Sequence, residues 1–138
     1  RRRVQTGVVL ELLPLNTDVT PVGRVLADVE PDVTLAEQMM EAARAAGLDQ
    51  PEAVADFAID EFDAEALLDR IPRPMSRGEL QLCSLLITVS TPVPTLTAID
   101  PTAGLDARRR RAVVALLTDL AQDRTVVVVS DDPMFGEG

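Results

Sequence analysis

The chain has 138 residues, a net charge of −10, and 46% apolar but only 2% aromatic residues. That length holds one modest domain, and its core must be aliphatic. One cysteine and no histidine exclude a Cys/His metal centre, a disulfide framework and a histidine-activated Ser or Cys nucleophile. No lysine occurs, so every basic side chain is arginine, and the acidic balance argues against a nucleic-acid partner. There is no run of 18 apolar residues and hence no expected membrane span. Arg1-Arg2-Arg3 is basic, but the apolar run behind it breaks at Glu11 and Pro14, so no secretory leader is expected. A first residue of Arg suggests a longer product.

Val8 to Leu13 predicts a strand, turned by Pro14, Asn16 and Asp18. Val22 to Leu26 is a second strand candidate. Thr34 and Glu37 have capping-box spacing, and Leu35, Met39, Ala42, Ala43 and Ala46 follow at helical spacing until Gly47. The pair Met39-Met40 reads as core filling. Pro51 suits the first position of a short helix, and Ala64 to Asp69 predicts another. Between Asp28 and Asp69 lie 13 acidic residues and one arginine, Arg44, the composition of solvated helix faces.

The most informative stretch is Met75 to Asp106. Ser76 and Glu79 form an S-x-x-E capping box ahead of Leu80, Leu82, Cys83, Leu85, Leu86, Ile87 and Val89, an apolar helix stopped by Pro92 and Pro94. Cys83 on that face reads as a buried, inert thiol in a reducing compartment. Thr95 to Ile99 is β-prone, Asp100 ends it, and Pro101-Thr102-Ala103-Gly104-Leu105-Asp106 turns the chain. Ala107 to Gln122 predicts a helix with Val113, Leu116, Leu117 and Leu120 as its apolar stripe. Arg108 to Arg111 crowd its first turn, where the helix dipole disfavours cations, and read as solvated surface. Thr125 to Val129 has the continuous β-branched pattern of a strand buried on both faces of a parallel sheet.

These motifs, in this order, resemble the ATP-binding cassette (ABC) ATPases. Met75-Ser76-Arg77-Gly78-Glu79 is similar to their signature loop LSGGQ or LSGGE. Pro101 to Asp106 matches the PTAGLD of their D-loop, and Val22 to Pro31 is similar to the strand entering their Q-loop. The resemblance implies an α/β fold. It would be a partial P-loop NTPase-like three-layer arrangement with parallel core strands and an ABC-type helical subdomain. Residues 1–138 would form a single, partial cassette domain. Within it, 28–75 would be the helical subdomain, and 76–138 the signature helix, Walker B strand, D-loop and switch strand.

The family's chemistry maps unevenly onto the residues. ATP and Mg²⁺ are the implied cofactors. Ser76, Arg77, Gly78, Glu79 and Asp106 are the implied nucleotide and dimer contacts, the signature loop acting on ATP held by the opposite subunit. No protein-borne metal site is expected. No G-x-x-x-x-G-K-[ST] loop occurs, and with no lysine none can. From Ser76 to Pro101 is 25 positions, the family's own separation. An ungapped match therefore puts Asp100 at the catalytic Glu and Ile99 at the metal-binding Asp. A local deletion would instead keep Asp100 as the metal residue and remove the Glu. Either way one of two carboxylates is gone. Ala27 stands at the Q-loop glutamine, and Asp131 at the switch histidine, where a carboxylate would repel a γ-phosphate.

The reading that follows is an ATP-binding subunit of an ABC-type transporter, with impaired or absent hydrolysis. It would be cytoplasmic, peripheral at the inner face of the cell membrane beside a permease subunit, and paired as a homo- or heterodimer with another ABC ATPase subunit. Whether it is an enzyme is left open by the substituted catalytic positions. The alternatives are an active ATPase whose P-loop lies upstream, and an interaction module descended from the family that binds no nucleotide.

Overall fold

The computed structural model describes residues 2–5, 8–21 and 23–136. The chain divides into two compact units: residues 1–26 with 93–138, and residues 27–92.

The first unit is built on a five-stranded sheet. Its strands are β1 Arg2–Gln5, β2 Val8–Leu13, β3 Arg24–Val25, β4 Thr95–Ile99 and β5 Thr125–Val129, in the order β1-β2-β5-β4-β3. β1 is antiparallel to β2; the other three pairings are parallel. β5 is central among the parallel strands, with Val126 opposite both Leu10 and Leu96. Val126 to Val129 are all buried, as a β-branched run flanked on both edges should be. Each such side chain contributes about 1.5–3 kcal/mol by leaving water. β4 leads through a turn into the helix Ala107–Leu120, which contacts β5, and Val113, Leu116, Leu117 and Leu120 are buried as its stripe predicts.

One feature of this sheet departs from the sequence expectation, and a second departs from ordinary parallel topology. The strand expected over residues 22–26 pairs only at Arg24–Val25, and Val22 lies outside the described residues. Gly23 limits it: its φ is +68°, and a Cβ there would stand 2.3 Å from the Thr95 carbonyl oxygen. The connection from β2 to β3 passes two intervening strands with no helix among its described residues, although parallel crossovers usually carry one.

The second unit is helical. Numbering helices along the chain, α1 is Leu35–Ala45, α2 Ala53–Phe62, α3 Arg77–Val89, and the first unit's helix is α4. α1 and α2 both pack on α3, and Leu35, Phe62, Leu82, Leu85 and Leu86 are fully buried. Met39 is buried and Met40 half-buried, in line with core filling. Thr34 caps α1 as expected, its Oγ1 accepting from the Glu37 amide at 3.3 Å. The return arm of that box is not made; the Glu37 carboxylate lies 3.9 Å from Arg44 instead. Ala46 is exposed because it is the C-cap, not a stripe residue. Gly47, at φ +83°, ends the helix, its amide donating to Arg44 and that of Leu48 to Ala43.

Pro51 is not the first helical residue. It precedes the N-cap, Glu52, whose amide is held by the Ser90 carbonyl at 3.0 Å. Ala64–Asp69 shortens to a 3-10 turn at Glu65–Leu67 because Asp63, in the left-handed region, has just closed α2. The carbonyls of Leu68 and Arg70 then accept the first amides of α1, at 2.9 and 3.2 Å. Of the acidic residues from Asp28 to Asp69, all but Glu52 are exposed, in keeping with solvated faces.

Candidate functional site

The start of α3 is ordered by reciprocal capping. Ser76 Oγ accepts from the Glu79 amide at 3.1 Å, and Glu79 Oε1 accepts from the Ser76 amide at 3.0 Å. Arg70 Nη1 adds a contact to Glu79 Oε2 at 3.4 Å. The Ser76 amide, helped by Arg70, holds the Glu79 carboxyl below its ordinary value against the effect of partial burial. Ser76 and Arg77 are exposed, while Gly78 is buried. As first-turn residues, Arg77 and Gly78 present amides that have no intrahelical acceptor. The loop in front is anchored by Met75, buried with its Sδ 3.5 Å from Cys83 Sγ. Burial, with Glu79 adding, pushes the Cys83 thiol up to about 11, so it is inert at neutral pH.

Further along α3, two hydroxyls one turn apart grip the Q-loop position. Ser84 Oγ donates to the Ala27 carbonyl at 2.6 Å, and Thr88 Oγ1 accepts from the Ala27 amide at 2.9 Å. Ala27 thus contributes backbone alone. Within α1, buried Gln38 acts as a clasp on the loop ahead of the helix. Its Oε1 accepts from the Glu30 amide, and its Nε2 donates to the carbonyls of Glu30 and Val33, each at 2.8 Å. Neither clasp was visible in the sequence, since a lone Gln, Ser or Thr on a helix announces no partner.

The other candidate residues lie at the carboxyl edge of the sheet. Asp100 follows β4 with φ +51°, and its amide donates to Val129 at 2.7 Å. Ile99, which the ungapped match sets at the metal-binding carboxylate, is 47% exposed at the strand end. The turn after Asp100 closes through Ala103 to Asp100 and Leu105 to Thr102, with Gly104 at φ +76°. Asp106 then caps α4, its Oδ1 accepting from the Arg109 amide at 2.9 Å, a local role the sequence reading missed. Beyond β5, Ser130 donates its amide to Leu13 at 2.8 Å. Asp131 Oδ1 accepts from the Leu15 amide at 3.0 Å. Asp132 Oδ1 accepts from Met134 at 3.0 Å and so caps the final 3-10 turn.

Ser76, Arg77, Gly78 and Glu79 are therefore brought together on one helix start in the helical unit. Asp100 and Asp131 are brought to the strand ends of the sheet unit, with Asp106 at the head of α4. Among the described residues no group of three or more Asp, Glu, Cys and His is placed to hold a metal ion.

A sheet with four parallel strands in this order, interrupted in sequence between β3 and β4 by a helical unit, is an α/β arrangement of the P-loop NTPase-like class. No family model matches the chain. It is 33% identical over 98 residues to a protein of Bacillus cereus described as an ABC transporter ATP-binding protein, covering 70% of this chain and 18% of that one. It is 30% identical over 99 residues to a hemin import ATP-binding protein of Staphylococcus haemolyticus, covering 70% of this chain and 45% of that one. Among solved structures, a dimeric ATP-binding cassette in a post-hydrolysis state with ADP and Pi has a TM-score of 0.64 at 20% identity, covering 78% of this chain and 51% of that chain. The chain spans less than half the length of the curated relatives it matches. Its homologues are ABC transporter ATP-binding proteins, and its fold is that of the ABC ATPase cassettes.

Proposed function

We propose that this chain serves in the ATP-binding cassette of an ABC-type transporter or related membrane complex, peripheral at the inner face of the cell membrane beside a permease subunit. It pairs with a second, competent ATPase subunit and hydrolyses little or no ATP of its own. The helical subdomain, expected over 28–75, extends to take in the signature helix α3, which lies in the compact unit 27–92; residues 93–138 carry the Walker B strand, D-loop and switch strand of one domain over 1–138.

The observation that supports this reading best is the order at the start of α3. A capping box fixes Ser76, whose hydroxyl can still donate, next to the first-turn amides of Arg77 and Gly78 and the positive end of the helix dipole. These groups suit a phosphate held by the other subunit. ATP with Mg²⁺, when bound, supplies the phosphoryl group and its counter-charge. The residues here orient that phosphate and neutralise part of its charge. Ser76 and the amides do the orienting, Arg77 adds a cation, and Glu79 acts as the positioning residue that holds Ser76. Asp106 contributes the D-loop contact across the pair.

The test is ATP turnover by the complex isolated from its native membrane with Ser76→Arg in this chain. The expected result is a loss on the order of 10²-fold, the cost of removing a preorganised donor from such a site, with subunit composition unchanged. Unchanged turnover in an intact complex overturns the proposal.

A further inference from the structure

The sheet's own carboxyl edge does not fit a triphosphate, and we infer that Asp131 acts there as a latch holding the β2–β3 crossover across that edge. Ligands of open parallel sheets bind outside the carboxyl ends of the strands, and a phosphate cradle there needs a strand, a Gly-rich loop with Lys, and a helix. Four strands here run parallel, and each carboxyl end is accounted for. β2 runs through Pro14-Leu15-Asn16-Thr17 toward β3, with no helix among the described residues between them. β3 leaves for the helical unit, β4 enters the Asp100–Asp106 turn, and β5 enters Ser130-Asp131-Asp132. None of these loops has the cradle's glycines and lysine. Nor can a further strand intervene, because both edges of β2, β5 and β4 are already paired. A strand from any other part of the product could join only outside β1 or β3.

Three backbone donors at this edge are also taken. The Ser130 amide goes to Leu13, the Asp100 amide to Val129, and the Leu15 amide to the Asp131 carboxylate. Arg108 to Arg111 open α4 nearby, yet the cap amide of Arg109 is taken by Asp106. Leu15, Val25 and Ile99 are exposed at the ends of three parallel strands, where apolar groups offer a phosphate nothing. At the switch position, then, Asp131 bonds a loop 116 residues away in sequence. This inference does not depend on whether the signature loop grips a partner's nucleotide.

Hydrogen exchange at the Leu15 amide tests it, in the full chain and in Asp131→Ala and Asp131→Asn. The expected result is exchange about tenfold faster in the alanine variant, the loss of one charge-assisted hydrogen bond, and less acceleration in the asparagine variant, which keeps an acceptor oxygen. Equal Leu15 exchange in all three proteins overturns the latch. Titrating the wild-type chain with inorganic phosphate is a second arm that needs no variant. Unmoved backbone resonances of Leu13–Leu15 and Ser130–Asp132 support a closed edge, and saturable shifts at those residues overturn it.

Discussion

Replacing Ser76 by alanine removes one arm of the capping box and leaves the other. Ser76 Oγ accepts from the Glu79 amide at 3.1 Å, and no other acceptor on the helix can serve that amide. Ser76 is exposed, so water reaches the freed amide and the full cost of a buried orphan is not incurred. The expected loss is about 1 kcal/mol, within the range for N-cap serines, and Ser76→Gly should cost only a few tenths. For a domain of this size about 1 kcal/mol lowers the melting temperature by roughly 3–6 °C. Glu79→Ala should cost a similar amount: it removes the arm to the Ser76 amide, while its contact with half-exposed Arg70 adds little.

The two arms hold the same turn, so the double variant should lose less than the sum of the singles. The Glu79 arm also carries a pH signature. Its folded-state pKa is lowered, so its contribution is fully present above the ordinary glutamate range and is lost as pH falls through the lowered value. Urea unfolding followed by far-ultraviolet circular dichroism, at neutral pH and in acid, measures all of this. The reasoning is refuted if Ser76→Ala matches wild type, or if the Glu79→Ala deficit stays constant into strong acid.

Gln38→Leu should cost about 2–4 kcal/mol, because it strips partners from the Glu30 amide and the Glu30 and Val33 carbonyls at once; urea unfolding showing under about 0.5 kcal/mol would remove the clasp from the account. Cys83, buried and with its thiol pushed up to about 11, should resist thiol reagents at neutral pH until the chain unfolds. Rapid labelling of the native protein would contradict that burial.

What the sequence disclosed and what it withheld divide by range. The box at Ser76 and Glu79 is a contact between residues three apart, so the order of residue types is nearly enough to specify it. The β-branched run at Thr125–Val129 likewise announces a strand paired on both edges. By contrast, the bond from Leu15 to Asp131 spans most of the chain, and a carboxylate at a switch position reads from sequence only as a missing imidazole. Ser84 and Thr88 likewise meet their partner, the Ala27 backbone, 57 and 61 residues away in sequence. Proline is tolerated at the first helical position, which makes Pro51 the expected start of the second helix. The Ser90 carbonyl, which fixes the Glu52 amide one residue later, decides otherwise. Asp106, which the resemblance implies as a contact across a dimer, also caps α4 through the Arg109 amide.

Equilibrium binding of Mg·ATP to the purified, folded chain, followed by calorimetry, puts the most direct question to this picture. No saturable binding up to millimolar nucleotide is expected, because the sheet edge has no phosphate cradle and the start of α3 awaits a nucleotide held elsewhere. One-to-one binding at micromolar nucleotide would contradict it.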